Sequence, residues 1–244
     1  MSEIVKTKAI VLNKINFGDT SRIANFFTED FGKIPIIIKG ARSPKSKVGL
    51  IVDTMNYVEI VFYKKENREI QFSSQIELLK YFSKIREDYE KLIYSNAIIE
   101  LLNTLLMENE PHKLLFAGTV KIFDLINDSN ENPKFLFAKY FLFFLKEIGY
   151  DIQTEICNSC GQKIVYDDEV SFNYELGILC KNCSKDRLTN FNFSSELLKL
   201  LICLKAKKNC QYIEENLDYL ISFFEKFLSY NIHEFKGIRS LKFK

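Results

Sequence analysis

Four cysteines carry the clearest chemistry in this chain. Cys157 and Cys160 are separated by two residues, as are Cys180 and Cys183, and 19 residues lie between the pairs. Tetrahedral zinc takes four ligands, so one thiolate pair can wrap one side of the ion and a second pair can close the other. Gly161 and Ser184 follow the pairs, supplying the small or turn-forming residues that a tight knuckle requires. A redox C-x-x-C or four unrelated thiols are the competing readings, but a redox pair stands alone near a βαβ unit. All four positions are cysteine, and no histidine or carboxylate marks an open coordination position. The expectation is one structural Zn2+ that shapes the chain and activates no water. Cys203 and Cys210, seven apart, have no ligand partner nearby; they read as a core thiol in an apolar helix and a thiol at a helix start.

Charge is the second signal. No Asp or Glu occurs from Phe31 to Val52, while Lys33, Lys39, Arg42, Lys45 and Lys47 do, among Gly40, Pro44, Gly49 and two serines. A basic loop between strands can track phosphates, because each cation neutralises one phosphate and releases a counterion. Arg22 is a weaker candidate for the same role. Lys236, Arg239, Lys242 and Lys244 follow the last acid, Glu234, and form a candidate second patch. Phe17, Phe26, Phe27 and Phe31 interleave with the first patch; on a barrel face they could stack bases, and otherwise they fill the core. A solvated loop is the competing reading of the charge run. The net charge of +2 excludes a uniformly basic chain. Residues 1–80 hold 13 basic and 9 acidic side chains, 81–150 hold 8 and 10, and 151–244 hold 13 of each, so any electrostatic footprint is local and mainly N-terminal.

The elements that must position these residues change character near residue 80. Before it, short runs rich in Val, Ile, Phe and Tyr are parted by turn residues: Ile4–Ile15, Thr20–Thr28, Lys33–Lys39, Thr54–Tyr63 and Glu69–Leu78. Five such strands suit a small barrel; the OB architecture is one solution, and an SH3-like barrel fits the same pattern. After it, helical spacing predicts helices over Tyr89–Leu106, Leu114–Ile126 and 133–148, the last opened by Asn132-Pro133 and closed by Gly149. Ser194 and Ser195 open a fourth helix through Leu204, and Tyr212–Tyr230 forms a fifth. The expected fold is therefore α+β: a five-stranded OB-fold barrel over residues 1–80, then an all-helical domain over 81–244 with a four-cysteine zinc finger inserted at about 150–192.

Enzyme chemistry finds no support. There is no nucleophile elbow, no phosphate-cradling glycine loop and no metallohydrolase histidine pair. His112 and His233 stand alone, and Asp167, Asp168 and Glu169 read as a solvated turn. The start of the chain lacks the apolar core of a signal peptide. The most lipid-like run, Phe135 to Ile148, contains Lys139, Lys146 and Glu147 and falls short of the roughly 20 apolar residues of a membrane span. A cytoplasmic protein is expected, without membrane association and with reduced thiols.

Several short runs together resemble the RecO family of recombination mediators. They are Val11-Leu12, Gly18-Asp19-Thr20, Phe27-Thr28, Gly32-Lys33 and Lys39-Gly40-Ala41-Arg42 with Ser46 following. The segment Leu145 to Tyr150 running into Cys157 to Gly161 is similar to the family as well, whereas residues 83–135 match little beyond helical character. The resemblance implies an OB fold that binds single- and double-stranded DNA and anneals complementary strands. It also implies work with RecR to load RecA on single strands coated by the single-strand-binding protein, contact with that protein's C-terminal tail, and a nucleoid-associated location. The alternative is a zinc-containing interaction scaffold without direct DNA binding.

Overall fold

The computed structural model describes residues 3–165, 169–206 and 210–243. It opens with β1 (Glu3–Phe17), β2 (Ser21–Thr28) and β3 (Gly32–Ile38), continues through a short helix α1 (Val48–Ile51), and returns with β4 (Tyr57–Lys64) and β5 (Gln71–Lys80). Alternate residues point inward, as a pleated strand dictates. Val5, Ala9 and Val11 of β1 meet Ala24 and Phe26 of β2, Ile34, Ile36 and Ile38 of β3, and Val58, Ile60 and Phe62 of β4 in one buried cluster. The strands close in the order β1-β2-β3-β5-β4. Every pairing is antiparallel except the β3–β5 seam, where Ile36 and Ile37 lie parallel to Gln71 and Phe72. This five-stranded closure is OB-like.

One outer face of the barrel is also apolar. Ile10, Leu12 and Phe27 are fully buried although their neighbours in sequence fill the interior. Helices α3 (Tyr89–Leu105) and α4 (Lys113–Asp128) cover them, and a short α2 (Ser83–Glu87) packs on both helices. Phe27 meets Phe116 of α4 edge to face, with ring centroids 5.4 Å apart. The face of β1 and β2 under these helices is closed to a ligand. Near the C-terminus a 3-10 turn over Arg239–Phe243 docks on α3, where the Glu100 carboxylate accepts the N–H groups of Arg239 (2.8 Å) and Ser240 (3.0 Å).

The remaining elements are α5 (Pro133–Glu147), a three-stranded sheet of β6 (Val170–Asn173), β7 (Gly177–Leu179) and β8 (Phe191–Phe193), then α6 (Ser195–Lys205) and α7 (Glu214–Asn231). Pro133 opens α5 as expected. Gly149 closes it with φ +93°, and the N–H groups of Gly149 and Tyr150 return to the carbonyls of Lys146 and Leu145. Ser194 caps α6 by accepting the Leu197 N–H at 3.3 Å. The sheet packs on α7 through rings: Phe172 and Phe193 each lie 5.0 Å from Phe223, and Phe172 lies 5.6 Å from Phe227.

Two details depart from expectation. The 150–192 insert of the expected all-helical domain contains strands, β6, β7 and the start of β8. Cys203 is not a core thiol but is disulfide-bonded to Cys210, with Cα atoms 5.8 Å apart. Leu200, Leu201 and Leu204 take the inward face of α6 and leave Cys203 on its flank. The change from strand to helix comes between β5 and α2, near residue 80, whereas the compact units divide elsewhere: Met1–Pro133 with Ile238–Lys244 form one, and Lys134–Gly237 the other. No helix among the described residues is long and apolar enough to cross a membrane.

Candidate metal centre and candidate nucleic-acid interface

The two C-x-x-C pairs come together as knuckles. In the first, Cys157 N–H donates to the Gln162 carbonyl and Gly161 N–H to the Cys157 carbonyl, both at 2.8 Å. Gly161 takes φ +73°, a left-handed backbone that suits glycine. In the second, Ser184 N–H returns to the Cys180 carbonyl at 3.0 Å. The knuckles are tied by Asn158 N–H to the Ile178 carbonyl at 2.9 Å and by Cys180 N–H to Cys157 Sγ at 3.3 Å.

All four Sγ atoms lie within 4.8 Å of one another, and Cys160 and Cys180 sulfurs are 3.9 Å apart. Four Zn–S bonds of about 2.3 Å in a tetrahedron set sulfur–sulfur edges of about 3.8 Å, so the cluster is compatible with one zinc ion. The thiols also differ in the way a shared charge site dictates. Burial disfavours the Cys157 thiolate, but N–H groups of Cys180, Cys160 and Ser159 outweigh it and hold the thiol at about 6. Cys183 receives a favourable hydrogen bond from the Ser159 side chain, yet hydrogen bonding with the sulfurs of Cys160, Cys180 and Cys157 pushes it up to about 11. Four thiolates cannot ionise side by side without a cation, and a dication removes that conflict.

The basic loop is folded rather than free. The Arg22 guanidinium donates to the Gly49 carbonyl at 2.8 Å, and Gly49 approaches Ala41 so closely that a Cβ would lie 2.0 Å from its carbonyl oxygen. Arg42 N–H donates to the Thr20 carbonyl at 2.8 Å, and one guanidinium nitrogen of Arg42 donates to the Gly18 carbonyl at 3.0 Å. The loop backbone is thereby pinned beside the β1–β2 turn, while Lys39, Arg42, Lys45 and Lys47 remain exposed. None of these four makes an ion pair among the described residues. Phe17 at the β1–β2 turn is 48% exposed, whereas Phe26 and Phe27 are buried and Phe31 packs on the barrel core.

Two expected phosphate contacts have other partners. The Lys33 ammonium donates to the Asn103 carbonyl of α3 at 2.8 Å, and burial lowers it from the ordinary lysine range against the pull of Glu108. Arg22 holds the loop in shape. At the C-terminal end Lys236 and Arg239 are both exposed, but they belong to different compact units. Lys242 is exposed as well; Lys244 lies outside the described residues, as do Asp167 and Asp168. One cation not foreseen is Arg68, in the β4–β5 turn. Its guanidinium lies 4.9 Å from the Phe72 ring centroid, and the Lys39 ammonium lies 5.4 Å from the same centroid. Its signal was hidden in Lys64-Lys65-Glu66-Asn67-Arg68, a mixed-charge run that reads as a solvated turn.

Comparison with known proteins covers both parts of the chain. Residues 1–82 match the family model described as recombination protein O N terminal, and residues 86–236 match recombination protein O C terminal. A Prosthecochloris aestuarii protein named DNA repair protein RecO is 32% identical over 162 residues, covering 66% of this chain and 61% of its own length. A Salinibacter ruber protein of the same name is 37% identical over 124 residues, or 51% of this chain and 48% of its own length. These two alignments thus span roughly half to three-fifths of the relatives. A third, from Chlorobium phaeobacteroides, is 28% identical over 94% of this chain and 93% of its own length.

Proposed function

Since the chain belongs to the recombination protein O family, we propose that it is a non-enzymatic mediator of DNA repair and homologous recombination that binds single- and double-stranded DNA and anneals complementary strands. The observation that carries this reading is electrostatic. Lys39, Arg42, Lys45 and Lys47 stand exposed on a pinned loop with no carboxylate partner among the described residues. Unneutralised cations on a fixed backbone are what a polyanion requires. Annealing needs no covalent step: two polyanions approach once their charge is screened by cations held on a surface. In this reading Lys236 and Arg239 add contacts, Arg22 shapes the loop, and Lys33 drops out because its ammonium is already engaged.

The four cysteines hold one structural zinc ion in this reading. The ion supplies thiolate charge balance and nothing else; Cys157, Cys160, Cys180 and Cys183 fix the two knuckles and, through β6 and β7, the ring cluster on α7. Such binding is worth on the order of 10 kcal/mol of folding free energy. Work with RecR, loading of RecA, contact with the C-terminal tail of the single-strand-binding protein and a nucleoid location are proposed from family membership alone, whereas domains divided at about residue 80 are proposed from the switch of strand to helix between β5 and α2.

The testing experiment is annealing of complementary oligonucleotides coated with single-strand-binding protein, with ATP omitted. Accelerated annealing supports the reading. Retention of the single-strand-binding protein tail with neither annealing nor DNA binding would replace it with the interaction scaffold.

A further inference from the structure

Many cations of the barrel unit are spent on holding the fold. Lys6 pairs with Glu59, Lys14 with Asp53 and Lys80 with Asp124, each at 2.6 Å, and Lys113 pairs with Asp30 at 3.1 Å. A carboxylate partner cancels the charge it holds. An aromatic ring does not: its quadrupole attracts a cation and leaves the full unit charge in place.

Phe72 holds two such cations. Lys39 reaches it from the end of β3 and Arg68 from the β4–β5 turn, at 5.4 and 4.9 Å from the centroid. Two like charges beside one ring are no further apart than roughly a Debye length, about 10 Å at 0.1 M salt, so they repel. Neither makes an ion pair among the described residues, although Glu66 and Glu69 stand in the same turn. An anion between them would relieve that repulsion.

The turn carrying Arg68 is built rather than loose. Gln71 is only 5% exposed, and its side chain staples the turn from beneath. Its amide nitrogen donates to the carbonyls of Arg68 (2.6 Å) and Lys65 (3.2 Å), and its oxygen accepts the Lys65 N–H at 3.0 Å. Gln71 and Phe72 are the residues that pair in parallel with Ile36 and Ile37, and Ser73 Oγ donates to the Ile37 carbonyl at 3.2 Å. The barrel's closing seam therefore fixes the ring, and the ring fixes the cations.

We propose that Lys39 and Arg68, held by Phe72 on the β3–β5 seam, form a binding site for nucleic-acid backbone phosphate, extending the basic loop across the barrel. This rests on the reading of the barrel as a DNA-binding surface. Lys39 and Arg68 touch the phosphate; Phe72 is a positioning residue that keeps both charges in place without cancelling them.

The test is binding of a labelled single-stranded oligothymidylate to the full chain across a potassium chloride series. Arg68→Gln is expected to bind about threefold or more weakly at low salt and to show a log–log salt slope shallower by about 0.7, the single-strand value for one lost phosphate contact. Phe72→Leu weakens binding in the native background but not in the Lys39→Gln, Arg68→Gln background, because a positioning role vanishes with the charges it positions. Phe72→Tyr, which keeps a ring, binds as the unsubstituted chain does. An Arg68→Gln variant with unchanged affinity and slope overturns the site, and so does a Phe72→Leu loss that persists without the two cations. Failure of the unsubstituted chain to bind at low salt overturns the DNA-binding reading itself, a separate outcome from binding that ignores Arg68.

Discussion

Gly32 shows how little freedom single residues have where the barrel meets its helical cover. Its φ is +70°, and a Cβ there would lie 2.2 Å from the Glu110 carbonyl oxygen, a backbone atom that cannot swing away. Gly32→Ala is expected to destabilise the chain by at least about 1–3 kcal/mol, read from denaturant unfolding; a midpoint equal to the parent's would contradict the close approach. The cysteines make a different kind of prediction. Cys157→Ser or Cys180→Ser should lower both folding yield and bound zinc, and unchanged zinc stoichiometry in either variant argues against the shared site. The sign of the pH dependence follows from Cys183. Its thiol, pushed up to about 11, is protonated near neutrality, so zinc must displace that proton. Zinc affinity therefore rises with pH, and calorimetric titration in buffers of different ionisation enthalpy should reveal proton release; a heat independent of buffer would count against it.

Elements position these residues through a few buried polar devices. Gln71 is one, since three hydrogen bonds from a buried amide decide the shape of an exposed turn. Gln71→Ala should cost about 1–3 kcal/mol, the range for leaving buried partners unsatisfied, and should weaken oligonucleotide binding by loosening Arg68. A variant as stable and as tight as the parent would show that the turn holds itself. The five barrel strands and five long helices were legible from alternation and helical spacing, because each runs long enough to repeat its period. β6, β7 and β8 were not, being three or four residues each. The C-x-x-C pairs were legible because a metal site is written in local spacing. The bond between Cys203 and Cys210 was not, because it depends on which flank of α6 faces the returning chain.

Across the barrel unit, the proposed function rests on how charge is allotted rather than on how much there is. The net charge of +2 conceals two populations of cations: those paired with carboxylates or drawn from solvent into the packed structure, as Lys33 is, and those left exposed, among them Arg42 and Lys39. The basic run from Lys33 to Lys47 was visible in the sequence, but its division was not. Lys33 faces a helix carbonyl 70 residues away in the chain, and only the packed structure commits it there. The division predicts that Lys33→Gln leaves the salt dependence of DNA binding unchanged, whereas Lys39→Gln reduces it; equal effects from both would show that burial does not sort them. The most direct measurement is retention of a single-stranded oligonucleotide at low ionic strength by the intact chain and by its Arg42→Glu, Lys45→Glu variant. The exposed loop predicts tight, steeply salt-dependent binding by the first and a loss of at least about tenfold in the second. Equal binding by the two would contradict the account.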